Sequence, residues 1–223
     1  MGKLVEITAD DGFTFDAYRA KPPSEVKGTV MVIQEIFGVN QHIREVCDGY
    51  GEQGYVAVAP AIFDRVEKNI SLGYEGDDMA RGIEIARGKM NPENTMRDLQ
   101  ATIGYLSELG PVGVVGYCFG GLMAWLCACN AEGISCAVGY YGGGIIDAVG
   151  QKSKVPTMLH FGKLDAHIPL SDVDKIAKSH PEVTVHLYEA DHGFNCDHRA
   201  SYNAEASKLA RSRTLDFFAQ HLS

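Results

Sequence analysis

Apolar and polar positions along the chain follow two rhythms, and their order predicts the architecture. Residues 4–8 and 13–18 are strand-like and flank Asp10-Asp11-Gly12, a hairpin signal. Gly28-Thr29-Val30-Met31-Val32-Ile33 is instead nearly continuous in apolar side chains, the mark of a buried strand. A loop and a helix over residues 40–53 follow, then a strand at 55–59 stopped by Pro60. A polar stretch at 64–76 leads into helical patterns near 77–89 and 93–109. The β-branched run Pro111-Val112-Gly113-Val114-Val115 precedes a short glycine-rich turn, and the apolar helix Leu122-Met123-Ala124-Trp125-Leu126 follows it. Strands near 136–140, 157–161 and 184–188 come next, and an amphipathic helix at 204–221 closes the pattern.

An antiparallel start followed by repeated βα units predicts a mostly parallel sheet with helices on both faces. No repeat, low-complexity tract or linker divides the 223 residues, so residues 1–223 are read as one α/β domain. The longest irregular piece, 62–76, reads as a surface excursion near the functional site.

The glycine-rich turn carries the first chemistry: Gly116-Tyr117-Cys118-Phe119-Gly120-Gly121. A G-x-nucleophile-x-G pattern matters where a buried strand turns abruptly into a helix, because small flanking residues allow a strained turn with the nucleophile at its tip. A thiol so placed needs a base, and the base needs an orienting acid. Asp165 follows the strand at 157–161, and His192 follows the strand at 184–188. Loops after parallel strands gather at one sheet edge, so Cys118, Asp165 and His192 can converge there. Nucleophile, acid and histidine in that chain order is the α/β-hydrolase order. His198 competes for the base role. His160 and His186 lie inside strands and read as structural, and His167 is too close to Asp165 in sequence to span to the cysteine.

Charge and cysteine content narrow the class. A net charge of −9 lacks the basic stripe of a nucleic-acid binder and does not favour an acidic membrane surface. No apolar run reaches the roughly 18 residues of a spanning helix, and the start of the chain turns acidic before a signal-peptide core could form. Cys47, Cys118, Cys127, Cys129, Cys136 and Cys196 show no framework spacing, which predicts reduced thiols and a cytoplasmic protein. Cys127-Ala128-Cys129 has the wrong spacing for a redox pair. No metal-ligand spacing stands out, so neither metal nor cofactor is expected.

With Gln34-Glu35-Ile36-Phe37-Gly38-Val39-Asn40, Gly116-Tyr117-Cys118-Phe119-Gly120-Gly121, Val138-Gly139-Tyr140-Tyr141-Gly142 and Arg213-Thr214-Leu215-Asp216-Phe217-Phe218, the chain resembles the dienelactone hydrolase family over almost its whole length. The resemblance implies an α/β-hydrolase fold without a large cap, a monomer, and a cysteine nucleophile acting on a small lactone or ester. It implies that Glu35 contacts the resting thiol and helps form the thiolate when substrate arrives. The backbone N–H groups of Ile36 and Phe119 would hold the oxyanion. Relatives bind a substrate carboxylate with two arginines. Arg81 matches the first; the second position here is Cys196, leaving Arg199, three residues on, as the substitute. A broad carboxylesterase or thioesterase of the same fold is the enzymatic alternative, and a non-catalytic ligand-binding or thiol-sensing protein the alternative of another class.

Overall fold

The computed structural model describes residues 2–23 and 25–222. Among them, eight strands form one sheet: β1 Lys3–Thr8, β2 Thr14–Ala20, β3 Gly28–Ile33, β4 Tyr55–Pro60, β5 Val112–Tyr117, β6 Ile134–Tyr140, β7 Thr157–Gly162 and β8 Thr184–Tyr188. Their order is β1-β2-β4-β3-β5-β6-β7-β8. β1 and β2 pair antiparallel, as does β2 with β4; every later pairing is parallel. The turn between β1 and β2 needs the positive φ of Gly12, 84°.

Period-two alternation divides the core. Val30 and Val32 of β3, with Val115 and Tyr117 of β5, pack into one apolar cluster; Met31 and Ile33, with Val112 and Val114, pack into the other. Helix α1, Gln41–Glu52, joins the first cluster through Ile43, Val46, Cys47 and Tyr50, and α6, Ala204–His221, through Ala206, Ala210 and Phe218. Phe218 is fully buried, a burial worth about 1.5–3 kcal/mol. Helix α3, Pro92–Ser107, joins the second through Leu99, Ile103 and Leu106. Helix α4, Phe119–Asn130, adds Met123, Ala124, Cys127 and Ala128. The Cys127-Ala128-Cys129 run is thus packing, and all six cysteines are free thiols.

Side-chain caps set the starts of α1, α3 and α6. The oxygens of Asn40, Asn91 and Asn203 accept from the N–H groups of Ile43, Asn94 and Ala206. Two local expectations change. The helix expected over 77–89 is α2, Gly76–Glu84, followed by a π-helical turn at Ile85–Lys89, where Met90 N–H reaches Ile85 O. Helix α5, Leu170–Ser179, has no counterpart in the sequence reading, because only Val173 and Ile176 are buried along it. Among the described residues, no helix is long and apolar enough to cross a membrane.

Candidate active site

The carboxyl ends of β3, β5, β7 and β8 supply the site. At the end of β5, Cys118 occupies φ 55°, ψ −114°, a conformation that L-residues avoid unless their surroundings impose it. The imposition is visible. Cys118 N–H donates to Tyr140 O at 3.0 Å, and its own carbonyl accepts from Gly121 N–H at 2.9 Å to start α4. Glycine is required on either side. A Cβ on Gly116 would lie 1.8 Å from Gly120 O, and one on Gly120 would lie 2.3 Å from Ile33 O. The backbone therefore closes tightly under the cysteine and lifts its side chain clear.

His192, after β8, turns Nε2 toward Cys118 Sγ at 3.1 Å and Nδ1 toward Asp165 Oδ2 at 2.7 Å. Asp165, after β7, is buried, and its other oxygen accepts from His167 N–H at 2.8 Å. Burial alone would lower the His192 pKa. The Asp165 carboxylate and the Cys118 sulfur outweigh it and raise the pKa to about 10. Burial of Asp165 opposes its ionisation, yet the hydrogen bond from His192 holds its carboxyl below the usual range. The imidazole packs against the Tyr141 ring, 5.1 Å between centroids, and edge-on to His167 at 5.5 Å.

Glu35 follows β3 and is fully buried. The resemblance implied a contact with the resting thiol. Here Glu35 Oε1 instead accepts from Arg199 Nη1 at 3.3 Å, while the sulfur faces the imidazole. The guanidinium gives the buried carboxylate a countercharge, and it also packs against Phe37 and Tyr74. Arg199 reaches this position through consecutive turns: Cys196 N–H bonds Gly193 O, Arg199 N–H bonds Cys196 O, and Tyr202 N–H bonds Arg199 O. Residues three apart in such turns share a side, so positions 196 and 199 face the same way. Among the described residues, the N–H groups of Ile36 and Phe119 join no backbone hydrogen bond outside helices and strands. Phe119 opens α4, where a helix has no partner of its own to offer.

The other candidates lie elsewhere. The Arg81 guanidinium is hydrogen-bonded to Glu67 and Glu84. His198 Nε2 contacts Glu45 Oε2 at 2.7 Å on the exposed side of α1. His160 is buried between Tyr188 OH at 2.8 Å and Thr214 Oγ1 at 3.1 Å, with burial driving its pKa well down. Residues 64–76 fold back beside Glu35: Ser71 bridges Gly38, and Tyr74 OH accepts from Asn40 Nδ2 at 3.0 Å. Tyr141 was not singled out from sequence as a site residue. Its signal was the same as that of Asp165 and His192, since it directly follows a strand, β6, at the shared edge.

Comparison with known proteins agrees with this architecture. The family model described as "Dienelactone hydrolase family" matches residues 15–222. The carboxymethylenebutenolidase of Pseudomonas putida is 33% identical over 225 residues, covering 96% of this chain and 95% of the relative. A solved structure from Klebsiella pneumoniae, assigned as a dienelactone hydrolase, superposes with a TM-score of 0.84 at 27% identity and covers 99% of both chains. An esterase of Pyrococcus furiosus shares the fold at a TM-score of 0.75 and 17% identity, covering 100% of this chain and 94% of its own. A parallel sheet with its strained turn at the carboxyl edge and a relative alike from end to end lead to one assignment: the chain is a hydrolase of the dienelactone hydrolase family, with the α/β-hydrolase fold.

Proposed function

We propose that the protein hydrolyses a small lactone or carboxylic ester through a cysteine thioester. The observation that carries this reading is Cys118 Sγ on its strained turn, 3.1 Å from an imidazole whose far nitrogen is held by Asp165. A protonated imidazole beside a thiol favours the thiolate, the form that attacks. The thiolate adds to the substrate carbonyl, and the Ile36 and Phe119 N–H groups receive the developing oxyanion. Collapse breaks the acyl C–O bond. The released oxygen, which in a lactone stays on the acyl chain, takes the proton of the His192 imidazolium and leaves His192 neutral. Water then attacks the thioester, His192 takes the water proton, the C–S bond breaks, and the sulfur leaves as thiolate with the carboxylic acid as product.

Two carboxylates divide the work. Asp165 orients His192. Glu35 takes the thiol proton as substrate displaces it from Arg199, and the freed guanidinium then faces a substrate carboxylate. This gives Arg199 the part left open by Cys196, while the ion pairs of Arg81 leave it a peripheral contribution. Rapid mixing with an enol-lactone, quenched and measured by intact-protein mass, is expected to show the acyl adduct on Cys118. A matched p-nitrophenyl ester is expected to react more slowly. An adduct on another residue, or turnover with none, would remove the thioester from the scheme.

Glu35→Gln keeps the shape and loses the base. Single-turnover acylation is expected to slow by ~10²-fold, the lower range of general base contributions, with deacylation changed far less. Equal acylation rates would confine Glu35 to a structural pairing with Arg199.

A further inference from the structure

When a substrate carboxylate takes the place of Glu35, the Arg199 guanidinium passes from one partner to another in a site where its side chain is only 16% exposed. A largely buried charge between counterions is costly and free to turn away. Two aromatic rings lie beside it and take no part in that exchange. The guanidinium carbon is 5.9 Å from the centroid of Phe37 and 5.7 Å from that of Tyr74, within the reach of cation–π attraction. Resting on the part given above to Arg199, we propose that Tyr74 is a positioning residue for substrate specificity: its ring, with that of Phe37, holds the Arg199 guanidinium in place while its carboxylate partner changes.

The two rings are fixed to each other and to the catalytic edge. Phe37 comes two residues after Glu35 and is fully buried. Tyr74 belongs to the polar excursion after β4, and its ring meets Phe37 edge-on at 4.6 Å between centroids. Backbone bonds join the segments that carry them. Leu72 N–H donates to Phe37 O at 2.9 Å, and Ser71 bridges Gly38. The approach is so close that a Cβ on Gly38 would lie 2.1 Å from Ile70 O. The phenol is also held at its far end. Asn40 Nδ2 donates to the hydroxyl at 3.0 Å while Asn40 Oδ1 caps α1, and the hydroxyl in turn meets the Cys196 thiol. Among the described residues, the Glu35 carboxylate bonds only Arg199, so the rings keep their places when it moves. The discrimination this gives is for charge: a guanidinium already aimed makes its strong bonds to a carboxylate and weaker ones to a neutral group of the same shape.

A five-membered enol-lactone with a free carboxylate, and the same lactone as its primary carboxamide, form the test pair. The readout is the ratio of kcat/KM, acid to amide, with KM and kcat resolved for each. Tyr74→Leu is expected to lower that ratio by ~3- to 30-fold, the range of a cation–π contact, through a higher KM for the acid. Neither kcat nor the amide should change much. Tyr74→Met, longer and also without a ring, is expected to do the same, whereas Tyr74→Phe keeps the ring and is expected to stay within ~2-fold of the parent. Arg199→Ala is expected to lower the ratio by more than ~10-fold. Adding Tyr74→Leu to it should lower it no further, because the ring acts only through the guanidinium. An unchanged ratio in Arg199→Ala would remove Arg199 from substrate binding, and the inference with it. A fall there, but none in Tyr74→Leu or Tyr74→Met folded by circular dichroism, would overturn the aromatic support alone. So would equal losses on acid and amide, a Tyr74→Phe variant as impaired as Tyr74→Leu, or a further loss in the double variant.

Discussion

Cys118→Ala is expected to abolish hydrolysis of lactone and ester alike, with kcat/KM down by ~10⁶-fold, the scale of removing a covalent nucleophile. The fold should persist. The strain at position 118 comes from the Tyr140 and Gly121 hydrogen bonds and from the glycines beneath, not from the sulfur, and alanine carries the same Cβ at φ 55° that cysteine does. Circular dichroism and the urea midpoint are therefore expected to match the parent closely. Cys118→Ser differs in kind. The hydroxyl occupies the same tip but is a far weaker acid than a thiol, and the imidazole at 3.1 Å would have to accept its proton during attack. Weak residual turnover is expected from serine and none from alanine. An alanine variant that retained a tenth of the parent rate would transfer the chemistry away from this turn, and the thiol-sensing alternative would then gain ground.

The parts that could be read from sequence were those that backbone topology dictates. Cys118, Asp165 and His192 each follow a strand of one parallel sheet, so locating the strands located the sheet edge, and the edge brought the three side chains together. The apolar runs of β3 and β5 were legible for the same reason: strands covered on both faces carry few polar positions to blur them, Thr29 being the one in β3. What escaped depends on local turns and thin patterns. Helix α5 buries only Val173 and Ile176, too few for a periodic signal. The approach of Arg199 to Glu35 follows from successive three-residue turns after His192, which side-chain spacing does not announce. The thiol was expected against Glu35, and the pairing of that carboxylate with a guanidinium, an ion pair within a buried loop cluster, is what places it elsewhere. His42 reads as one more polar residue of α1. Its Nδ1 lies 3.4 Å from Asp197 in the loop after β8, a contact between segments far apart in the chain.

Asp165→Asn is expected to lower kcat by ~10²- to 10⁴-fold with little change in KM, and the reason lies in which end of the amide must face the imidazole. In the parent, Asp165 Oδ1 accepts from His167 N–H at 2.8 Å and Oδ2 pairs with His192 Nδ1 at 2.7 Å. In asparagine only the carbonyl oxygen can keep the His167 bond, so the NH₂ group turns to His192. A donor there requires Nδ1 to accept, which moves the imidazole proton to Nε2. The nitrogen facing Cys118 then cannot take a proton. Stability carries an independent readout. The His192 pKa is raised from 6.5 to about 10 in the folded protein, so its share of the pairing is complete below about 6.5 and is lost as pH rises through about 10. The Asp165 carboxyl is held below its ordinary 3.8, so its share is present above that value and is lost in acid. Urea unfolding is therefore expected to separate parent from Asp165→Asn most widely between about pH 4 and 6.5, with the gap narrowing toward pH 10. A gap independent of pH would mean that the pair is not ionic. A full rate in the folded variant would mean that another group orients the imidazole, and His167, edge-on to the same ring, would be the first to replace.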